Sequence, residues 1–162
     1  MEKAPRTRIE EYIFTRKPNA PTGGMIGMET KFDIILAGDK KVIAEIRGFT
    51  IATDQPVADN GQNTAPSPFE LFLASLGTCT GYFVASFCQA RSIPTDNIAM
   101  TQTVVRNDAT HRVEEITIDI ELPRDFPEKY KDAVVRAAES CSVKKLLAAP
   151  PEIRVAARRV DG

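Results

Sequence analysis

The chain has no tryptophan, a single histidine and only three cysteines in 162 residues. One histidine cannot build a metal site with no cysteine or second histidine beside it, and His111 reads as an exposed turn residue. Three cysteines do not make a secreted disulfide scaffold; in a reducing compartment they are buried small hydrophobes or reactive thiols. Charge of one sign is also missing. Lys and Arg total 21 against 22 Asp and Glu, a net charge of −1, which argues against a nucleic-acid or anionic-membrane surface. The N-terminus, MEKAPRTRIEEYIF, lacks the apolar core of a signal peptide, so a cytoplasmic protein is expected. Gly23, Gly24 and Gly27 match no nucleotide-binding spacing and no Lys-Ser/Thr follows them, so they read as a turn. With 43% hydrophobic and 27% charged residues, the chain has the composition of one soluble domain with a real core.

What is present is one long apolar stretch, Ala65 to Ile93. Its start carries a helix signal. Ser67 fits the N-cap, Pro68 the first helical position, and Glu70, three residues after Ser67, completes a capping box. Phe69, Phe72, Leu73, Leu76, Thr80 and Phe83 then recur at helical spacing, with Leu71, Val84 and Phe87 on other faces. A helix apolar nearly all round is a core helix. Ser75, Gly77, Thr78, Thr80 and Gly81 interrupt it too often for a membrane span, and there is no second candidate. Pro94 is expected to end it, because the residue before a proline disfavours helix.

Around this helix the pattern predicts strands over 28–36 and 41–53, joined by Ala37-Gly38-Asp39-Lys40, and a second hairpin, 98–106 with 112–122, across Asn107-Asp108-Ala109-Thr110. Pro127 opens a second helix with Tyr130, Ala133, Val134, Ala137 and Ala138 on its apolar stripe and Cys141 at its end. Ser140 or Ser142 would cap a short helix over 143–148, Pro150 and Pro151 would stop it, and 153–160 would be a last strand. The order β-β-α-β-β-α-β, with hairpins in place of βαβ units, predicts an α+β fold with a largely antiparallel sheet. Residues 1–24 form an N-terminal arm whose structure the sequence does not specify.

Cys79 and Cys88 are two of the three thiols and share the long helix. Nine positions at about 100° each set them on opposite faces, about 13 Å apart along the axis, too far for a disulfide. Cys88 therefore reads as packing. Cys79 shares a side with Phe72, Leu76 and Phe83, and its small neighbours leave room for a close backbone approach or a ligand. Cys141 stands where a helix ends and another begins, where N–H groups and the nearby Lys144 and Lys145 would favour a thiolate. Each of Cys79 and Cys141 is either a buried inert thiol or one member of a redox pair.

Pro66-Ser67-Pro68-Phe69-Glu70-Leu71, Leu76-Gly77-Thr78-Cys79 and the later run Ala138 to Leu146, which contains Ser140-Cys141-Ser142, together resemble the OsmC/Ohr family of thiol-dependent peroxidases. The resemblance covers about residues 28–160 of a single domain spanning 1–162. It implies antiparallel sheets wrapped around two central helices in an intertwined homodimer. It also implies that Cys79 is the peroxidatic thiolate, that Cys141 resolves its sulfenic acid as a disulfide, and that an external dithiol restores both. The expected substrate is an organic or inorganic hydroperoxide, met beside Phe69, Phe72 and Phe83, with no metal, flavin or haem cofactor. The hydroperoxide reductases of the family place a glutamate directly after the helix-opening proline. Here that position is Phe69, and Glu70 lies one step on, about 100° around the helix, as either a catalytic carboxylate or only the capping partner. Arg47, on an early strand, is the nearest candidate for the arginine those enzymes hold against the thiolate. Two other functions fit the same residues: a non-enzymatic dimeric module that binds a small apolar or thiol-bearing ligand, and a thiol redox sensor.

Overall fold

The computed structural model describes residues 29–159; the expected N-terminal arm, 1–24, lies outside them. The chain divides into two compact units, with the boundary between Leu71 and Phe72.

The first unit carries an antiparallel sheet in the order β1-β2-β3, with β1 at Asp33–Gly38, β2 at Lys41–Ile46 and β3 at Phe49–Thr53. The single strand expected over 41–53 is two strands. Arg47 and Gly48 both have positive φ, 50° and 84°, and form the two-residue turn whose twist suits a tight hairpin. Sequence alternation could not reveal this turn, because an arginine pays for the left-handed conformation that asparagine or glycine would signal. The ladder sets Ile34 opposite Ala44, Ala44 opposite Ile51, Leu36 opposite Val42, and Ile46 opposite Phe49. Since side chains alternate across a sheet, these residues share one face. Ile34, Leu36, Phe49 and Ile51 are all exposed on it.

After β3 the chain runs through a loop gathered on Asp54, whose side chain is only 1% exposed. Its carboxylate accepts the N–H groups of Gln55, Gln62 and Thr64 and the Thr64 hydroxyl, at 2.8 to 3.4 Å. Those donors, chiefly Thr64, hold its pKa at about 2 against the opposing effect of burial. The loop delivers Ser67 to the start of α1, Pro68–Gln89.

The second unit holds most of α1, the hairpin of β4 (Ala99–Arg106) and β5 (Val113–Glu121), α2 (Lys131–Glu139) and α3 (Ser142–Ala148). α1 ends before Pro94, at a Schellman motif: the Ile93 N–H donates to the Cys88 carbonyl and the Ser92 N–H to that of Gln89. Ser92 takes the left-handed position, φ 55°, usually given to glycine. The strands β4 and β5 pair from Ala99↔Glu121 to Arg106↔Val113, as the hairpin reading expected, and His111 is exposed at the tip with φ 55°. Pro127 caps a short 3-10 turn, Glu128–Tyr130, that leads into α2. Residues 153–159 are exposed and lack regular structure. The expected last strand is therefore absent among the described residues; its alternating Ile153 and Val155 find no ladder to pair with.

The core of this unit is Val84, Phe87 and Cys88 of α1 with Phe126, Val134 and Ala138, flanked by Met100, Ile120, Leu122 and Tyr130. Phe87 meets Tyr130 edge to face at 5.9 Å, worth about 1 kcal/mol beyond burial, and the Arg91 guanidinium lies 3.8 Å above the Phe87 ring. The resulting architecture is mixed helix and antiparallel sheet, the α+β class expected. By length and apolarity alone α1 could cross a membrane. Yet Gly77 and Gly81 turn toward β4, where an added Cβ would sit 3.0 Å from the Gln102 side chain and 3.7 Å from Met100 Sδ. These glycines serve close packing of helix on sheet.

Candidate active site

Two thiols of the second unit come together. Cys79 projects from the middle of α1 and is half-buried, while Cys141, 0% exposed, is the N-cap of α3. The side chains of Cys79 and Cys141 are in hydrogen-bonding contact. Both sulfurs are free thiols.

Cys141 reaches this position because α2 ends at Glu139 and the backbone opens at Cys141 to φ −48°, ψ 123° before α3 begins. The N-cap of the short helix is thus neither expected serine but the cysteine between them. An N-cap side chain faces the free N–H groups of the second and third helical residues. Here those are Val143 and Lys144; no short capping bond forms, but both N–H groups act on the sulfur. Burial pushes the Cys141 thiol up. The Cys79 S–H, the N–H groups of Lys144 and Val143 and the Thr80 hydroxyl outweigh it and bring the thiol below its ordinary value. Cys88 is the contrast: also 0% exposed, it is raised by burial, with only partial relief from Arg91. Its place in the apolar core agrees with the helical geometry that removes it from the chemistry.

Thr80 was legible only as one more helical position. It is 1% exposed and its hydroxyl donates to the Leu76 carbonyl at 2.7 Å, while the same oxygen lies against Cys141. Gln102 also escaped sequence reasoning, since nothing marks one glutamine on a strand. Its Nε2 donates to the Leu73 carbonyl at 3.0 Å, and its Oε1 is buried without a hydrogen-bond partner, beside Gly77.

Glu70 and Arg47 belong to the first unit. Glu70 makes the capping box in full. Its Oε2 accepts the Ser67 N–H at 2.7 Å and the Ser67 hydroxyl at 2.8 Å, and its own N–H donates to Ser67 Oγ at 3.3 Å. Arg47 lies exposed in the β2–β3 turn and not within a strand as expected. Among the described residues no group of His, Cys, Asp and Glu is placed to hold a metal ion.

The second unit is α+β, with a thiol of α1 in contact with the thiol at the start of α3, beside an antiparallel hairpin. Residues 61–156 match the model of the OsmC-like protein family, well over half of the chain, and the protein belongs to that family. Solved structures agree. A protein of Psychrobacter arcticus named for osmotic stress induction and detoxification response is 26% identical, with a TM-score of 0.63 over 75% of this chain and 89% of that one. The OsmC-like protein of Mycoplasma pneumoniae shares the fold at 18% identity, TM-score 0.60, over 77% and 91% of the two chains. The organic hydroperoxide resistance protein OsmC of Legionella pneumophila does so at 16% identity, TM-score 0.50, over 77% and 93%. No curated protein sequence matches the chain.

Proposed function

We propose that the protein is a thiol-dependent peroxidase that reduces organic or inorganic hydroperoxides in defence against oxidative stress. The observation that carries this reading is the contact between the accessible Cys79 and the buried Cys141. Cys79, the half-buried thiol, meets the hydroperoxide. Its sulfur bonds to the distal oxygen, the O–O bond breaks, and an alcohol leaves, with Cys79 left as a sulfenic acid. Cys141, already against it, attacks that sulfur and displaces water, giving a disulfide. The net change is two thiols plus ROOH to one disulfide, ROH and water. An external dithiol returns the pair to its reduced state, and no metal or organic cofactor takes part.

The working form is a homodimer in the cytoplasm. Support for the dimer comes from the apolar face of the β1-β2-β3 sheet, where Ile34 and Leu36 are 61% and 84% exposed, more apolar surface than a lone sheet leaves to water. Glu70 serves as the helix cap.

The test is to treat the reduced protein with cumene hydroperoxide and hydrogen peroxide and to count free thiols with time. The parent should lose two thiols rapidly, Cys79→Ser none, and Cys141→Ser should accumulate a trappable sulfenic acid. Equal slow oxidation in all three would sink the peroxidase. Light scattering tests the dimer.

A further inference from the structure

The two sulfurs that a disulfide would join have unequal access. Cys79 is half-buried and Cys141 is 0% exposed. Tyr82, three positions on from Cys79 and so beside it on the helix surface, is 67% exposed. Phe72, seven positions before Cys79 and on the same side, is exposed as well. This side of α1 is the open one. Cys141 is fixed in the fold as the N-cap of α3, and its carbonyl accepts the Lys145 N–H at 3.2 Å.

Thiol–disulfide exchange is directional. The incoming thiolate approaches one sulfur along the S–S axis, from the side opposite the sulfur that leaves. At Cys79 that line begins on the open side, because the sulfur that leaves is the buried one. At Cys141 it would begin in the packed interior behind that residue, where no external thiol reaches.

We propose that the regenerating thiol attacks the Cys79 sulfur and that Cys141 is the leaving group, a geometry that makes the protein selective for dithiols over monothiols. This rests on the peroxidase reading above and adds the order of events in regeneration. The thiolate of the reductant bonds to the Cys79 sulfur. The Cys79–Cys141 bond breaks, and its electron pair leaves on Cys141, which takes a solvent proton. Cys79 is now in a mixed disulfide with the reductant. The N–H groups of Val143 and Lys144 that lower the Cys141 thiol favour this departure, since a more acidic thiol leaves faster. With a monothiol, Cys141 stands close enough to attack Cys79 again and expel the adduct. The second thiol of a dithiol intercepts it: that thiolate attacks the reductant's own sulfur, and Cys79 leaves with the electron pair and is protonated. The net change is one protein disulfide and one dithiol to two protein thiols and the reductant's disulfide.

The test uses the parent protein oxidised with diamide, which makes the disulfide without peroxide. It is then treated with 2-mercaptoethanol and quenched with excess N-ethylmaleimide. The concentration of 2-mercaptoethanol is raised until the mixed disulfide accumulates. Peptide mass spectrometry reads which cysteine carries the hydroxyethylthio group and which the maleimide. Cys88, buried in the core, is told apart by its own peptide. The adduct should favour Cys79 over Cys141 by at least about tenfold, as access dictates. When 2-mercaptoethanol is removed, the Cys79 adduct should persist in Cys141→Ser and be lost in the parent as the disulfide closes again. An adduct on Cys141, or one shared equally, overturns the proposal. So does a parent adduct that lasts as long as that of Cys141→Ser, or diamide treatment that forms no Cys79–Cys141 disulfide. A protein that consumes no peroxide yet opens its diamide-made disulfide at Cys79 sinks the peroxidase and leaves the direction of attack standing.

Discussion

Glu70 offers the sharpest separation of a structural role from a catalytic one. Its Oε2 takes two hydrogen bonds from Ser67, at 2.7 and 2.8 Å, and Ser67 is itself buried. Replacing Glu70 by alanine strands the Ser67 N–H and hydroxyl at the start of α1. A lost cap costs about 1 kcal/mol, and a partly buried donor left without a partner raises that toward about 2 kcal/mol. For a chain of this length each kcal/mol lowers Tm by about 2–4 °C, so Glu70→Ala should melt about 3–6 °C below the parent. Glutamine keeps an acceptor oxygen for the Ser67 N–H and satisfies the same box. It gives up only the favourable placement of a negative charge at a helix start, about 0.5 kcal/mol, or about 1–2 °C. Thermal unfolding followed by circular dichroism reads both, and peroxide consumption driven by a dithiol, measured well below either Tm, reads the chemistry. If Glu70 is the cap and no more, Glu70→Gln should keep nearly all of the parent's turnover. A loss of turnover of a hundredfold or more in Glu70→Gln at unchanged Tm would refute this reasoning and return Glu70 to the chemistry.

Four further outcomes follow from the structure of the two units. At Gly61 an added Cβ would lie 1.9 Å from the Gln55 carbonyl oxygen, so Gly61→Ala must push backbone apart and should cost about 3 kcal/mol by urea unfolding. Gly38→Ala, at a left-handed φ of 95° but with open space around it, should cost only about 1 kcal/mol. Ser92→Gly relieves the left-handed strain at the end of α1 and should stabilise by about 0.5–1 kcal/mol, a Tm about 2–3 °C higher; a lower Tm would contradict the Schellman assignment. Because the folded Asp54 titrates at about 2, below its ordinary value near 4 in an unfolded chain, its contribution is complete above about pH 4 and fades as pH falls toward 2. The Tm gap between parent and Asp54→Asn should therefore be widest near neutrality and narrow below pH 4, and a gap that does not change with pH would contradict it.

The elements that were legible in the sequence are those whose signals are local. Ser67-Pro68-Phe69-Glu70 specifies a helix start through hydrogen bonds three residues apart, and the structure contains each of them. The alternation from Ile116 to Leu122 specifies a strand because one face must be dry. What failed was decided by backbone conformations that side chains did not announce. Arg47 and Ser92 occupy left-handed positions without being glycine; one splits a strand that alternation read as continuous, and the other ends α1 ahead of the proline that was expected to end it. Residues 153–159 have the alternation of a strand but no neighbour to supply a ladder, and alternation carries no information about partners.

The same limit governs the site. Helical periodicity alone separates Cys88 from Cys79, because nine positions fix an angle on one rigid element. It says nothing of Cys141, which reaches Cys79 through the packing of separate helices and through an N-cap that a cysteine takes between two better-suited serines. That choice has a physical consequence. A serine at the cap would fill the same two N–H groups more tightly but could not carry the charge near neutral pH, whereas a thiol there can ionise.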